Sequence, residues 1–295
     1  MKPPPFTYHD PTTIAEVLAL LQQHGDEAKL LAGGQSLVPV LNMRLARPAV
    51  LIDLNRVTEL AYIQESDGFL AIGAMTRHAE VERSELAARL QPLLVEAMAH
   101  IGHSQIRNRG TIGGSIAHAD PSAELPAVLV ALEGSVRAVG PAGEREIPAE
   151  ELFLMYFMTA LQPDELLTEV RVPLMPPRTG YAFEELARRH GDFALAGVAC
   201  TLTLDEAGVV ADCRLGLTGV GLTPVRAREA EDLLKGQAPS AERFAAAAEA
   251  VRGAIMPEGD VHATAEYRRH LAGVLTERAL ARALQRAAEV GGGVA

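Results

Sequence analysis

The sequence predicts an α+β protein in two parts, and three observations predict it. About the first sixty residues run strand, Gly-Gly, helix, strand, the order of a small α/β unit. The cluster Pro173-Leu174-Met175-Pro176-Pro177 can continue neither a helix nor a central strand and marks a boundary. Beyond it, three strand patterns precede three helical ones, as in a separate α+β layer.

The elements follow in order. Residues 12–24 form a helix: Ile14, Val17, Leu18 and Leu21 share a face, and Thr13 with Glu16 makes a capping box. Residues 29–32 are a strand running into Gly33-Gly34-Gln35-Ser36, residues 37–45 a short apolar helix or turn, and residues 50–54 a buried strand. Strands at 61–63 and 69–72 flank the turn Ser66-Asp67-Gly68. A long helix is expected over 84–101, then a polar, glycine-rich segment from Gly102 to Pro121. A helix over 123–132, a strand over 135–139, an apolar helix over 150–160 and a strand over 165–172 complete the first part. In the second, strands near 180–187, 194–204 and 209–218 lead to helices near 225–235, 240–253 and 262–289. Gly291-Gly292-Gly293 is expected to fray.

Composition removes several function classes. The chain has 295 residues, 27 basic and 38 acidic side chains and a formal charge of −11. That balance argues against nucleic-acid or anionic-membrane binding. The two cysteines, Cys200 and Cys213, cannot supply a four-thiolate iron–sulfur or zinc site and read as buried, reduced thiols. The N-terminus lacks a signal-peptide pattern, no stretch reads as a membrane span, and a cytoplasmic protein is expected.

Two glycine pairs hold the chemical interest: Ala32-Gly33-Gly34-Gln35-Ser36-Leu37 and Thr111-Ile112-Gly113-Gly114-Ser115-Ile116. Consecutive glycines let backbone approach a ligand and can gather N–H groups into one concavity, which suits pyrophosphate oxygens. Each pair, alone, suits a tight turn equally well, and neither is a G-x-G-x-x-G or Walker fingerprint. Arg107 and Arg109 stand beside the second pair and could neutralise phosphates or meet acidic partner groups. Thr76 could cap a following helix. His100, His103 and His118 with Asp120 offer metal-ligand types, but Gly102 interrupts the spacing and surface histidines are the simpler reading. The run Phe153-Leu154-Met155-Tyr156-Phe157-Met158 reads as core packing, or else as a face for a partner.

Longer motifs carry a resemblance. Ala32 to Pro39, followed by Pro48 and Leu51-Ile52-Asp53-Leu54, resembles the first flavin loop of the FAD-binding medium subunits of molybdenum hydroxylases, the family of the carbon monoxide dehydrogenase medium chain and the xanthine dehydrogenase FAD-binding subunit. Ile106 to Ser115 with Ala119-Asp120-Pro121 resembles its second loop. Ala187-Arg188-Arg189-His190-Gly191-Asp192-Phe193-Ala194 and Tyr267-Arg268-Arg269-His270-Leu271 resemble later segments, in family order along nearly the whole chain.

The resemblance implies a two-lobed FAD-binding domain of the vanillyl-alcohol-oxidase type over residues 1–175, with lobes of about 1–57 and 58–175. A smaller α+β C-terminal domain would span 178–290. It implies noncovalent FAD, an electron-transfer task, an external electron acceptor and two partner chains. One would be a small subunit with [2Fe–2S] clusters and the other a large molybdopterin subunit, joined as a dimer of heterotrimers. Carried over by position, Ala32, Gly33, Gly34, Gln35, Ser36 and Leu37 would hold the pyrophosphate, and Thr111, Gly113, Gly114 and Ser115 would form a second wall. Glu124 would bond the flavin's polar chain, Ile101 would pack on the cofactor, and Leu166 or Leu167 would lie near the ring. Phe193 takes the place of a tyrosine beside the flavin, with Arg189 and Asp192 in the same segment, while Thr76 and His118 would be further contacts. One departure stands out: Glu184 and Glu185 occupy the strand where family members often carry a lysine. A self-contained flavin oxidase or reductase, and a flavin-free assembly protein, are the alternatives.

Overall fold

The structure, a computed structural model, describes residues 2–292. The first lobe contains β1 (Thr7–His9), α1 (Ile14–His24), β2 (Ala28–Leu31), α2 (Leu37–Asn42) and β3 (Val50–Asp53). Its strands form a parallel sheet in the order β1-β3-β2, with Val17, Leu21, Ile52 and Leu54 in a small core. Thr13 caps α1 by accepting from the Glu16 N–H at 3.2 Å. The Glu16 carboxylate accepts from the Thr12 N–H at 2.7 Å, so the reciprocal half of the expected box is displaced by one residue.

The second lobe begins with the hairpin β4 (Ile63–Ser66) and β5 (Phe69–Gly73). Short helices follow: α3 (His78–Glu82), α4 (Glu85–Leu90), α5 (Pro92–Met98), α6 (Ser104–Arg107), α7 (Ile112–His118) and α8 (Glu124–Ala131). Strands β6 (Ser135–Gly140) and β7 (Gly143–Pro148), helix α9 (Ala149–Leu152), the small pair β8 (Phe153–Met155) and β9 (Met158–Thr159), and β10 (Leu166–Pro173) complete it. The sheet runs β4-β5-β10-β6-β7, antiparallel throughout.

The last part has strands β11 (Thr179–Ala187), β12 (Ala194–Leu204), β13 (Val210–Thr218) and β14 (Val225–Arg226), then helices α10 (Arg228–Leu234), α11 (Ala241–Ala254) and α12 (Ala265–Gly292). Its antiparallel sheet, β11-β12-β13-β14, is covered on both faces. On one face a Cβ on Gly180 would overlap the Ala283 carbonyl of α12, and on the other a Cβ on Gly216 would overlap the Ala127 carbonyl of α8. Phe183 and Ala199 join the second lobe's core, so this sheet is welded to the preceding lobe.

Several expectations need correction. The helix expected over 84–101 is broken at Gln91 (φ −150°, ψ 73°), because Pro92 brings no N–H and starts a new helix, α5. The helix expected over 150–160 stops at Leu152 and gives way to the β8–β9 hairpin, turning at Phe157 (φ 55°). A run apolar at every position cannot reveal its period, and the hairpin docks by a 3.2 Å bond from the Phe157 N–H to the Ala119 carbonyl. Nor is that run core: Leu154 and Phe157 are 56% and 59% exposed. The glycines of the second pair, read by their spacing as a tight turn or a ligand loop, lie inside α7. Finally, the segment from 225 opens as β14, paired with Gly216 and Leu217, before α10 begins. The pattern carries no signal for β1 or for β7, whose sequence GEREIP is mostly exposed. Helix α12 continues through Gly292; Gly293, the end of the tail expected to fray, lies outside the described residues.

Candidate functional site

The first glycine loop leaves β2 and enters α2. Its carbonyls are engaged: Ala32 accepts from Asn55 Nδ2 (3.0 Å), Gly33 from Gln35 Nε2 (3.1 Å) and Gly34 from the Val38 N–H (3.1 Å). Its N–H groups are not. Gly33, Gly34, Gln35, Ser36 and Leu37 donate to no backbone or side-chain acceptor among the described residues. Gly34 holds φ 76°, a left-handed value natural to glycine. Successive unpaired N–H groups on a partly covered loop form an anion cradle. The residues present therefore fit a pyrophosphate.

The second loop abuts the first. A Cβ on Gly33 would overlap the Arg109 carbonyl oxygen and lie 2.8 Å from Gly110 Cα; a Cβ on Gly114 would lie 3.3 Å from Ala32 Cβ. Here, however, the donors are spent. Thr111 caps α7 by accepting from the Gly114 N–H (3.1 Å), the Gly113 N–H reaches Ala74 O (3.0 Å), and the Ser115 N–H reaches Thr111 O (3.0 Å). The second loop offers the Ser115 side chain and a close backbone wall rather than a row of free amides. Sequence reasoning missed the clamp between the loops. Arg77 Nη1 donates to the Arg109 carbonyl and Nη2 to Asn55 Oδ1 (2.6 Å), and Asn55 in turn holds Ala32. A guanidinium flanked by both motifs was the available signal.

Comparison with known proteins decides the family. Residues 4–175 match the FAD binding domain in molybdopterin dehydrogenase, and residues 181–283 match the CO dehydrogenase flavoprotein C-terminal domain. The chain belongs to the FAD-binding medium subunits of molybdenum hydroxylases. It is 48% identical over 97% of both chains to the 6-hydroxypseudooxynicotine dehydrogenase complex subunit alpha of Paenarthrobacter nicotinovorans. It is 42% identical to the carbon monoxide dehydrogenase medium chain of Hydrogenophaga pseudoflava, over 98% of this chain and 100% of that one. A solved structure of carbon monoxide dehydrogenase from Hydrogenophaga pseudoflava has a chain that superposes with a TM-score of 0.95 at 43% identity, over 97% of this chain and 99% of that one. This medium subunit is thus a flavoprotein oxidoreductase subunit that binds FAD, with the α+β fold of the family.

The remaining site candidates fall into three places. In the wall leading to α8, His118 stacks on Phe157 (5.0 Å between rings), Asp120 caps a turn through the Ser122 N–H (2.9 Å), and Glu124 opens the helix only 4% exposed. Burial lowers the His118 pKa and raises that of Asp120, and it pushes the Glu124 carboxyl up to about 7. In the cores, Ile101 and Leu167 pack in the second lobe, while Leu166, its neighbour on β10, faces the first lobe's core. At the β11–β12 tip, Phe193 is 58% exposed and Gly191 (φ 89°) sits against the His103 ring. Thr76 is not a helix cap. Arg77 holds that position, and the Thr76 hydroxyl bonds both the N–H (3.0 Å) and the carbonyl (2.9 Å) of Tyr62. Arg107 is committed to Glu82 (2.9 Å) and to the Ile101 carbonyl (3.1 Å), so it is no phosphate ligand; Arg109 is exposed beside the first loop. The three histidines weighed as metal ligands point apart, to Phe183, His190 and Phe157. Among the described residues no cluster is placed to hold a metal, and no helix is long and apolar enough to cross a membrane.

Proposed function

We propose that this chain is the electron-transfer subunit of a molybdenum hydroxylase, taking electrons from [2Fe–2S] clusters of a small partner subunit and passing them to an external acceptor. FAD supplies the redox chemistry, accepting and releasing electrons. The chain's own residues bind and orient it. The Gly33–Leu37 amides receive the pyrophosphate, Ser115 flanks it, and Glu124 meets the flavin's polar chain at the start of α8. Phe193 would lie beside the ring from the β11–β12 tip. Residues 1–175 would form the flavin domain, as lobes of about 1–57 and 58–175, and 178–290 the domain packed against it. A large molybdopterin subunit would oxidise the substrate, in a dimer of heterotrimers placed in the cytoplasm, where the free buried thiols Cys200 and Cys213 are kept reduced.

The observation that carries this reading is the row of unpaired amides set against a second loop whose amides are already used. Two buried cysteines cannot ligate a cluster pair, which favours the clusters being on another chain. The test is an absorbance spectrum of the purified full chain, with the released cofactor identified by mass and copurifying chains identified alongside. Bound FAD without iron–sulfur bands, and capture of small and large subunits, are expected. Turnover of a small substrate by the chain alone would overturn the subunit reading in favour of a self-contained oxidase.

A further inference from the structure

The flavin reading leaves one buried group unused. Glu185 lies on β11, opposite Gly197 of β12. Its neighbour Glu184 turns to the other face and pairs with Arg282 of α12 at 2.9 Å. Strand alternation therefore sends Glu185 toward the flavin-binding lobes. Missing atoms make room there: a Cβ on Gly197 would lie 3.5 Å from Glu185 Cγ and 2.7 Å from Thr218 Cγ2. Thr218 Oγ1, next in that row, lies 2.9 and 2.8 Å from the carbonyls of Pro121 and Ala123, the segment that delivers Glu124. Two carboxyl groups thus converge at the junction from different parts of the chain. Glu185 Oε2 is buried and has no hydrogen-bond partner, and the Glu124 carboxyl, almost wholly buried, has no side-chain partner among the described residues. Both pKa values rise, chiefly through burial; Glu185 reaches about 8, with the Glu124 charge adding to the effect.

Among the described residues no cation is paired with either carboxyl. From α5, Glu96 is paired with Arg286 (2.6 Å) and His100 stacks on Phe183. From the α7–α8 segment come His118 and Asp120, and Asp120 adds negative charge toward Glu124. Facing residues of β12 and β13, Gly197 and Thr218, are uncharged. At the hairpin tip, Arg188 bonds His262 (2.9 Å) and His190 faces His103; Arg189 and Asp192 are also there. Two carboxylates in such a place cannot both stay ionised cheaply.

We propose that Glu124 and Glu185 act as one proton-holding pair across the junction, and that this pair ties electron uptake by the bound flavin to uptake of an additional proton. The inference rests on the proposed flavin reading, with the cofactor running from the Gly33–Leu37 amides to Glu124. Two electrons come from a one-electron donor of the iron–sulfur class. One proton goes to the ring, and the added negative charge draws a second proton from solvent onto the carboxyl pair. No bond forms between the pair and the ring.

The test has two arms on the full chain. In the first, the midpoint potential of bound FAD is measured from pH 8 to pH 10, above the value of about 8 at which Glu185 gives up its proton, in wild type, Glu185→Gln and Glu185→Asp. The slope of potential against pH is expected to fall to about half in Glu185→Gln, from two protons per two electrons to one, and to stay near wild type in Glu185→Asp. Equal slopes in wild type and Glu185→Gln would overturn the proposal. In the second, the side-chain carboxyls of the FAD-free chain are titrated by ¹³C NMR. Two coupled carboxyls titrating well above the ordinary range, reduced to one by Glu185→Gln, are expected; ordinary titration of both would overturn the pair. Failure to bind FAD would defeat the functional reading while leaving this second arm decisive.

Discussion

Gly33-Gly34 and Gly113-Gly114 look alike in sequence and do different work in the fold. The first pair sits in an irregular loop whose carbonyls are tied down and whose amides are free. The second sits inside a capped helix whose amides are already bonded, to Thr111 and to the Ala74 carbonyl. Gly34 is glycine for its positive φ, whereas Gly113 is glycine because Ala74 leaves no room: a Cβ would lie 2.5 Å from Ala74 Cβ and 2.8 Å from Ala74 O. One pair leaves its amides free and the other packs as the wall behind it. Identical dipeptides therefore answer to different constraints, conformational in one and steric in the other.

The sharpest way to break this contrast is Gly113→Val. Overpacking against Ala74 is expected to cost about 3 kcal/mol, read as a lower melting temperature of the FAD-free chain. A variant as stable as wild type would remove the steric account. Next comes the charged wall beyond the second pair. Burial holds the folded-state Glu124 carboxyl at about 7, above its ordinary value, so the native chain binds this proton more tightly than the unfolded chain does. The Glu124 contribution to stability should therefore fall as pH rises from the ordinary carboxylate range to about 7, and level off above it. Glu124→Gln should remove a fall on the order of 2–3 kcal/mol, measured by denaturant unfolding at pH 5 and pH 8; an unchanged pH profile would contradict the assignment.

Arg77→Met cuts the clamp that ties the two loops and is expected to cost about 2 kcal/mol, with weaker FAD binding in fluorescence titration. Gly34→Ala should cost only about 1 kcal/mol of stability, yet lower FAD affinity at least tenfold by calorimetry. The reverse pattern, a large stability loss with normal affinity, would make the first pair a steric wedge like the second. The smallest contrast is between hydroxyls. Thr111→Val loses a helix cap worth about 1 kcal/mol, whereas Ser36→Ala should leave thermal unfolding of the FAD-free chain unmoved, because Ser36 makes no cap bond.

Legibility followed the reach of each interaction. Helix α1, the β2–loop–α2–β3 order and strands β10 to β13 could be read because local periodicity and turn residues specify them. The Phe153–Met158 run misled because uniform apolarity has no period, and its exposure depends on what surrounds it. Strand β1 was invisible because three residues gain strand geometry only by pairing with β3. Within the candidate site, both glycine motifs were visible by composition. Which of them has free amides was not, since that depends on acceptors such as Thr76 O and Ala74 O, more than thirty residues away. Arg107 shows the same limit: its charge was legible, and its commitment to Glu82 was not.

By itself the sequence determined the α+β class, the two glycine motifs and, through their order, the FAD-binding medium-subunit family. The tertiary structure alone decided that one motif has free amides and the other bonded ones, that Arg77 joins them, and that Glu124 and Glu185 are both buried where two parts of the chain meet. The reason is physical: propensity and pattern act over a few residues, whereas the cost of an unpaired amide or a buried charge is set by whatever distant groups folding brings beside it.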